Sequence, residues 1–492
     1  MMKNSMINKG RNHRRKNGRN RGKVLILLMI GLLITSGFIF RQYFFEMNGN
    51  DFSNTNTGTD DKDLAEDTKT PSGKPQTSEQ NITDESEDKR DDKHGIGQEG
   101  RNDEHDSTQN DGQNGEQNET SNNEQVSDKI REQVNKMTLR EKIGQMVIVG
   151  FEGYTIDDNV KKMIDIYKVG GFILFGRNVE NSEQLLALNN SLKKANSQNK
   201  IPLFISVDEE GGIVSRMPGE FKKLPSNKVI GKMNNEDLSF KIGYILAEEL
   251  SMFGFNMNFA PVLDINSNPQ NPVIGDRSFG DNAEIVSKLG VQTMKGIRSG
   301  GVIPVVKHFP GHGDTSEDSH IGLPVVNHDL SRIMDFELIP FKNAIDNQAD
   351  AIMIAHILLK NIDSENPSSL SSKVVTDLLR KQLGFEGVIV TDDMTMGAIT
   401  ENYNLGEAAV KAVNAGCDII LVCHGYNNQV AVINALLSAA ENNMISNNKI
   451  DESVYRILML KDKYGLSDSQ RNPIDSDVIR KINEKIDNVF GR

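Results

Sequence analysis

Eight short apolar runs recur between residues 146 and 423, and longer segments with helical spacing of apolar residues separate them. Buried strands of a parallel sheet form continuous apolar runs, and the helices that connect them are amphipathic. Eight such units predict a (β/α)8 TIM barrel, with a doubly wound open sheet as the alternative. The predicted strands are 146–151, 171–175, 203–207, 257–263, 302–306, 351–355, 388–391 and 419–423. The main predicted helices are 182–199, 236–253, 283–299, 330–347, 371–383, 405–415 and 428–441.

Ionisable residues directly follow six of these eight strands. In a TIM barrel the active site lies at the C-terminal ends of the strands, so a ring of charged residues there predicts an enzyme site. Two members, Asp264 and His356, are equally consistent with hydrogen-bonding supports behind the site. The ring comprises Asp208, Asp264, Lys307 with His308, His356, Asp392 with Asp393, and His424.

The segment 307–320, KHFPGHGDTSEDSH, combines three histidines, three acidic residues and a lysine directly after an apolar run. His308 and His312 have the four-residue spacing by which a helix holds zinc. Pro310 and Gly311 lie between them and disfavour a helix. The segment therefore predicts a polar loop, and no metal site is expected.

Asp318 and His320 in this loop form a candidate acid/base pair. Residues i and i+2 of an extended segment point to the same side, so the carboxylate can accept a hydrogen bond from the imidazole. Such a bond fixes the tautomer of the ring and raises its basicity, which suits general acid/base catalysis. The alternative is a solvated Asp and His on a surface loop.

The first 45 residues carry ten Lys or Arg and no Asp or Glu, and an apolar run at 24–40 lies within them. A helix of that length spans about 25 Å, near the lower limit for a bilayer core. By the positive-inside rule we expect a basic cytoplasmic segment at 1–23, a transmembrane anchor at 24–45 and an extracellular remainder. A cleaved signal peptide, which would give a secreted protein, is the alternative.

The stretch 46–125 is polar and acidic, with 21 acidic and 7 basic residues between positions 51 and 124. A segment with so few large apolar residues cannot bury enough surface to fold, so it predicts a disordered linker. The single catalytic domain is then expected at 126–466. The tail at 467–492 receives no assignment.

Composition narrows the functional classes further. The formal net charge is −13, and the basic N-terminal cluster is followed at once by the apolar run, so no nucleic-acid partner is expected. The two cysteines, Cys417 and Cys423, flank one apolar strand and are predicted to be buried thiols, without a disulfide framework. No cofactor is predicted, and the oligomeric state stays open.

Four segments resemble glycoside hydrolase family 3, specifically its bacterial β-N-acetylhexosaminidase branch, over about residues 137–466. The resemblance implies a TIM barrel that hydrolyses glycosides with retention of configuration, through a covalent glycosyl-enzyme. The segments are SVDEEGGIVSR (206–216), NFAPVLDINSNPQNPVIGDRSFG (258–280), KHFPGHGDTSEDSH (307–320) and GFEGVIVTDDMTMGAI (384–399).

The resemblance also implies a role for individual residues. Asp392 is expected to be the nucleophile and His320 the general acid/base, with Asp318 as its orienting partner. Asp393 is disfavoured as nucleophile because neighbouring side chains of a strand point to opposite sides. The expected sugar-binding residues are Asp208, Arg277, Lys307 and His308, with Arg216 as structural support.

These expectations define an exo-β-N-acetylglucosaminidase that acts on cell-wall glycans or muropeptides. A β-glucosidase or β-xylosidase of the same family is one alternative. A catalytically inactive, tethered wall-glycan-binding protein is another. A metal-dependent barrel hydrolase is disfavoured because the end of the first strand, GFEG at 150–153, lacks a histidine pair.

Overall fold

The computed structural model describes residues 111–490, which fall within one compact unit. The barrel strands are β1 (Val147–Val149), β2 (Gly171–Leu174), β3 (Phe204–Val207), β4 (Met257–Asn258), β5 (Ile303–Phe309), β7 (Ala351–Ile354), β9 (Val388–Asp393) and β10 (Ile419–Val422). They close in the order β1–β10–β9–β7–β5–β4–β3–β2, with parallel neighbours throughout. Two short strands, β6 (Val325–Val326) and β8 (Leu358–Leu359), form a separate parallel pair. The predicted TIM barrel is confirmed, and the open-sheet alternative is wrong.

Helices connect successive barrel strands, and several begin at an asparagine. Asn181, Asn235 and Asn282 each accept a hydrogen bond from the first turn of the following helix, which satisfies backbone N–H groups that lack an intrahelical partner. The α-helices are α1 (Asp111–Lys136), α2 (Leu139–Gln145), α3 (Asp158–Asp165), α4 (Ser182–Asn196), α5 (Asn227–Met233), α6 (Glu236–Met252), α7 (Ala283–Ser299), α8 (Leu330–Arg332), α9 (Ile339–Asp346), α10 (Gly397–Thr400), α11 (Leu405–Ala415), α12 (Tyr426–Glu441), α13 (Asn447–Lys463) and α14 (Ser476–Phe490). Two π-helices occupy Ile333–Glu337 and Lys373–Gln382, and short 3-10 turns occupy Gly176–Asn178, Gly275–Arg277 and Ser368–Leu370.

Helices α6 and α7 approach each other closely because glycines lie at their contact. A Cβ atom on Gly243 would lie 2.2 Å from the Thr293 carbonyl oxygen, and one on Gly296 would lie 2.1 Å from the Phe240 carbonyl oxygen. Any larger residue would therefore push the helices apart. This contact fixes the two helices that flank β4, the strand that leads into Asp264.

Helix α1 lies across the N-terminal face of the barrel. Val126 borders a cavity together with Val388 at the start of β9, and Lys136 borders another together with Val169, just before β2. Between them, Ile130 is buried in the core. The end of the barrel opposite to the C-terminal ends of the strands is thus covered.

Helix α1 begins at Asp111, inside the stretch 46–125 for which the sequence predicts a disordered linker. The apolar residues in the second half of α1 dock on the barrel, and extending an existing helix upstream costs little compared with nucleating one. The predicted segments 1–23 and 24–45, and the linker up to residue 110, lie outside the described residues. Among residues 111–490, no helix combines the length and apolar character needed to cross a membrane.

The C-terminal segment, which the sequence left without an assignment, contains α14. This helix packs against α6 and buries Ile482 and Ile486. Asn483 accepts a hydrogen bond from the Lys222 backbone N–H at 2.8 Å and donates one to the Glu220 carbonyl oxygen at 2.9 Å. Helix α14 therefore also holds the loop that follows β3.

Candidate active site

A pocket of about 230 Å³ lies at the C-terminal ends of the barrel strands. Pockets for drug-sized ligands range from about 300 to 1,000 Å³, so this one suits a small polar molecule the size of a single ring. Of the predicted site residues, Asp264, Asp318 and His356 do not line the pocket. The ionisable residues that do are Asp208, Glu210, Arg216, Arg277, Lys307, His308, His312, His320, Asp392, Asp393 and His424.

Asp392 and Asp393 end β9, and their carboxylates are bound differently. Asp393 accepts hydrogen bonds from the Thr395 backbone N–H at 3.0 Å, the Thr395 hydroxyl at 2.6 Å and the Cys423 backbone N–H at 2.9 Å. Within the described part of the chain, the Asp392 carboxylate accepts one hydrogen bond, from the Asp393 backbone N–H at 2.8 Å. Asp393 is thus committed to the loops around it, while Asp392 is available to a ligand.

The electrostatic surroundings of Asp392 favour its ionised form. Burial by itself raises the pKa of this carboxyl group, but the neighbouring basic groups, among them Lys307, and the backbone hydrogen bond lower it by more, so the pKa lies below its ordinary value. A half-buried carboxylate with few hydrogen bonds is a suitable nucleophile.

Glu210 joins two cations beneath the pocket. Both of its oxygens accept from the Arg277 guanidinium, at 2.8 and 2.9 Å, and one also accepts from the Lys307 ammonium at 2.7 Å. Burial opposes the charge on Glu210, but Lys307 and Arg277 outweigh it and hold the pKa of Glu210 well below its ordinary value. This bidentate arrangement fixes both cations in position.

Lys307 also donates a hydrogen bond to Asp208 at 2.6 Å. Burial lowers the pKa of this lysine, but Asp208 and Glu210 raise it by more, so the group stays charged. A fixed ammonium group beside a fixed carboxylate presents donors and acceptors together. That combination suits the hydroxyl groups of a sugar.

Asp264 lies behind the pocket and orients His308. The His308 Nδ1 atom is 2.6 Å from an Asp264 carboxylate oxygen, and the Arg277 guanidinium is 3.3 Å from His308 Nε2. Because a guanidinium can only donate, Nε2 accepts and Nδ1 carries the hydrogen. Burial raises the pKa of Asp264, but His308 lowers it by more. Asp264 therefore acts as a support rather than as a ligand contact.

His356 is a second support, on the nucleophile side. Its Nε2 atom donates a hydrogen bond to the Asp393 carbonyl oxygen at 3.1 Å, and its Nδ1 atom accepts one from the Ser369 hydroxyl at 2.7 Å. Burial lowers the pKa of His356. This neutral ring fixes the main chain directly beside Asp392.

Asp318 and His320 pair as their spacing predicts. One Asp318 oxygen accepts hydrogen bonds from the His320 backbone N–H at 2.9 Å and from His320 Nδ1 at 2.8 Å. Burial raises the pKa of Asp318, but the two bonds from His320 lower it by more. With Nδ1 donating to Asp318, the Nε2 atom of His320 is left to exchange a proton with a ligand.

Arg216 lines the pocket wall rather than lying behind it. Its backbone N–H donates a hydrogen bond to Glu209 at 2.5 Å, and its guanidinium donates one to the Ser215 carbonyl oxygen at 3.2 Å. Among residues 124–490, whose side chains the structure describes, no carboxylate lies within salt-bridge distance of this guanidinium. The structure thus places Arg216 where a ligand could meet it, which differs from the supporting position predicted for it.

Sequence reasoning missed Glu210 and His312 as members of the site. For Glu210 the available signal was its place two residues after Asp208, on the same strand end. For His312 the zinc hypothesis drew attention to the ring without suggesting another partner. Across residues 111–490, no group of three or more His, Cys, Asp or Glu side chains is arranged to hold a metal ion.

Comparison with known proteins shows the family. Residues 138–460 match the sequence profile of the glycosyl hydrolase family 3 N terminal domain. Beta-hexosaminidase A of Pseudoalteromonas piscicida is 35% identical over 367 residues, 66% of this chain and 61% of that protein, so the chain spans less than two thirds of that relative. Beta-hexosaminidase of Tolumonas auensis is 35% identical over 309 residues, 61% of this chain and 91% of that protein.

A solved structure is similar over the same region. A glycoside hydrolase family 3 β-N-acetylglucosaminidase from a Paenibacillus species aligns with a TM-score of 0.66 and 43% identity, covering 71% of this chain and 69% of that chain. The profile match alone extends over more than half of the sequence. The chain belongs to glycosyl hydrolase family 3 and is a glycosidase.

Proposed function

We propose that the protein is a retaining exo-β-N-acetylglucosaminidase, which releases terminal β-linked N-acetylglucosamine. One arrangement carries the proposal: Asp392, whose ionised carboxylate accepts one hydrogen bond among the described residues, lines the same pocket as His320, the histidine of the Asp318–His320 pair. The names of the relatives, beta-hexosaminidase and β-N-acetylglucosaminidase, support the same sugar.

The reaction would proceed in two steps. In the first, an Asp392 oxygen attacks the anomeric carbon, the bond to the leaving oxygen breaks, and His320 Nε2 gives its proton to that oxygen. In the second, His320 takes a proton from water, the water oxygen attacks the anomeric carbon, and the bond to Asp392 breaks. Two inversions at the same carbon retain the configuration.

The polar side of the pocket suits the hydroxyl groups of the terminal sugar. Asp208 and Lys307 present an acceptor and a donor, and Arg277 and His308 line the same pocket. A pocket of about 230 Å³ accommodates one sugar, which favours attack at chain ends.

The pocket also has apolar lining residues, and these support an N-acetylated sugar over glucose. Glucose carries a hydroxyl group at C2, whereas N-acetylglucosamine carries there an acetamido group, whose methyl group gains by leaving water. Apolar lining residues lie in or directly after β2, β7 and β10. They are Ile173, Phe175, Met353, Leu421 and Cys423.

An assay of the full chain with matched aryl glycosides tests the proposal. We expect release from the β-N-acetylglucosaminide to exceed release from the β-glucoside by about tenfold or more, the scale that one pocket-filling group provides. Asp392→Asn should abolish turnover, while Asp276→Asn, at an exposed site, should not. Preference for the glucoside would indicate a β-glucosidase. Sugar binding without turnover of either substrate would indicate the inactive binding protein.

We further propose that the enzyme is anchored in the cell membrane by residues 24–45 and acts outside it on cell-wall glycan fragments. The apolar run and its basic flank support this placement. In cells expressing the full chain, activity should sediment with membranes and be exposed to external protease. Deletion of 1–45 should abolish that association, and activity free in the medium from the intact gene product would instead indicate a cleaved signal.

A further inference from the structure

Ser319 lies between the two members of the acid/base pair, and its surroundings differ from theirs. The Ser319 residue is 2% exposed, whereas the His320 side chain is 65% exposed. The pair therefore extends toward solvent from a buried middle residue. Whatever holds Ser319 also sets the position of Asp318 and His320.

A buried histidine contacts Ser319 from the barrel side. His312 Nε2 lies 3.0 Å from the Ser319 hydroxyl oxygen, and His312 Nδ1 lies 2.7 Å from the Thr315 hydroxyl oxygen. The Thr315 hydroxyl donates to the His312 carbonyl oxygen at 3.0 Å, so its oxygen is left to accept from Nδ1. Nε2 is then the acceptor, and the Ser319 hydroxyl donates to it.

The neutral form of His312 is favoured. Burial is the main cause, and the neighbouring His308 adds to it; together they lower the pKa of His312 to about 4. An uncharged ring of fixed tautomer presents one lone pair to Ser319 over the whole neutral range.

His312 is in turn fixed by the carboxylate that orients a predicted sugar-binding residue. The His312 backbone N–H donates to one Asp264 oxygen at 2.6 Å, and His308 Nδ1 donates to the other oxygen at 2.6 Å. One buried carboxylate thus connects the sugar side of the pocket with the acid/base loop.

The same loop is held from its other side by main chain that follows the nucleophile. The backbone N–H groups of Gly397 and Ala398 donate to the carbonyl oxygens of His320 and Ser319, at 3.2 and 3.1 Å. A Cβ atom on Gly397 would lie 2.7 Å from the His320 carbonyl oxygen, so this approach requires glycine.

We infer that His312 is a positioning residue, which sets the acid/base pair over the pocket by holding Ser319. The inference rests on the proposed function, because it needs His320 to act as the general acid and base. Displacing His320 would slow proton donation to the leaving group and proton removal from water. It would leave attack by Asp392 nearly intact.

The test compares leaving groups in His312→Leu, which removes the acceptor, and His312→Gln, which can retain one near Ser319. With a poor phenol leaving group, we expect His312→Leu to lose about tenfold or more in kcat/KM, since positioned acid/base groups contribute 10²- to 10⁴-fold. With a dinitrophenol leaving group the loss should be about threefold or less by the same reasoning. With the dinitrophenol substrate, azide should raise kcat of His312→Leu, because azide replaces water and needs no general base. His312→Gln should recover most of the lost kcat/KM.

His356→Leu is the matched control, because it alters a buried histidine that holds the nucleophile strand. Its loss should be the same for both leaving groups and should not respond to azide. If His312→Leu lost kcat/KM equally with both leaving groups, the inference would be overturned. If His312→Leu does not fold, Ser319→Ala decides in its place, with the same expected pattern. Absence of turnover by the parent enzyme would instead reject the proposed function.

Discussion

Glu249 on α6 is a buried carboxyl group whose Oε1 atom has no hydrogen-bond partner among the described residues. Burial and the nearby Glu209 raise its pKa well above the ordinary value. Burial also raises the pKa of Glu209 from 4.5 to about 7, although the backbone N–H of Arg216 opposes that rise. Both groups therefore hold protons in the folded protein at a pH where the unfolded chain has lost them.

This pair makes stability depend on pH. The pKa values in the folded state exceed those in the unfolded state. The two carboxyl groups therefore make their full contribution to the free energy of unfolding below about pH 4.5, and this contribution is lost as the pH rises through the folded pKa values. For Glu209 the shift corresponds to roughly 3 kcal/mol. We expect Glu249→Gln to reduce the loss of unfolding free energy between about pH 5 and 8, measured by urea denaturation. Parallel pH curves for parent and variant would contradict this, and Glu236→Gln, at the exposed start of α6, is the control.

The sequence could place the site residues but not all of their partners. Strand ends alone brought Asp208, Lys307 and Asp392 to one pocket, because barrel topology gathers those positions. Glu210 could be placed at the same strand end as Asp208, but its role could not be recognised, since its partner Arg277 lies 67 residues away in the chain. The sequence also could not decide whether Asp264 contacts a ligand or supports another residue, because that depends on which side of His308 it occupies.

The helices and strands follow the predicted pattern. They differ from it where contacts with other elements determine the local structure. All eight barrel strands fall within the predicted runs or extend them, as β5 and β9 do by including polar residues at their ends. The strands β6 and β8 contain two residues each, too few for a periodic signal. Helix α14 carries its apolar residues at helical spacing, but its packing partner lies on α6, which sequence spacing does not reveal.

Helix α14 should influence substrate binding through the loop after β3. We expect the double change Ile482→Ala and Ile486→Ala to detach this helix, because each buried isoleucine contributes about 2 to 5 kcal/mol. The contacts of Asn483 with Glu220 and Lys222 would then be lost. We expect this loss to raise KM more than it lowers kcat. Limited proteolysis would follow the detachment of the helix.

The control for this change is Val478→Ala, because Val478 is a 41% exposed apolar residue of the same helix. It should alter neither proteolysis nor KM. Release of the helix in the double variant with an unchanged KM would show that the loop after β3 keeps its shape without α14.

At the scale of the whole molecule, the pocket and helix α1 lie at opposite ends of the barrel. The pocket lies at the C-terminal ends of the strands, while α1 crosses the N-terminal face with Ile130 buried against it. Such separation is general for this architecture, in which stability and activity reside at different faces. Changes in α1 should therefore affect folding more than turnover.

The position of α1 also has a consequence for orientation. A polypeptide that reaches the barrel through α1 arrives from behind the catalytic face. Helix α1 therefore does not pass over the mouth of the pocket, which none of its residues line. The end of a glycan can then enter the pocket along the barrel axis without meeting the helix through which the chain joins the domain.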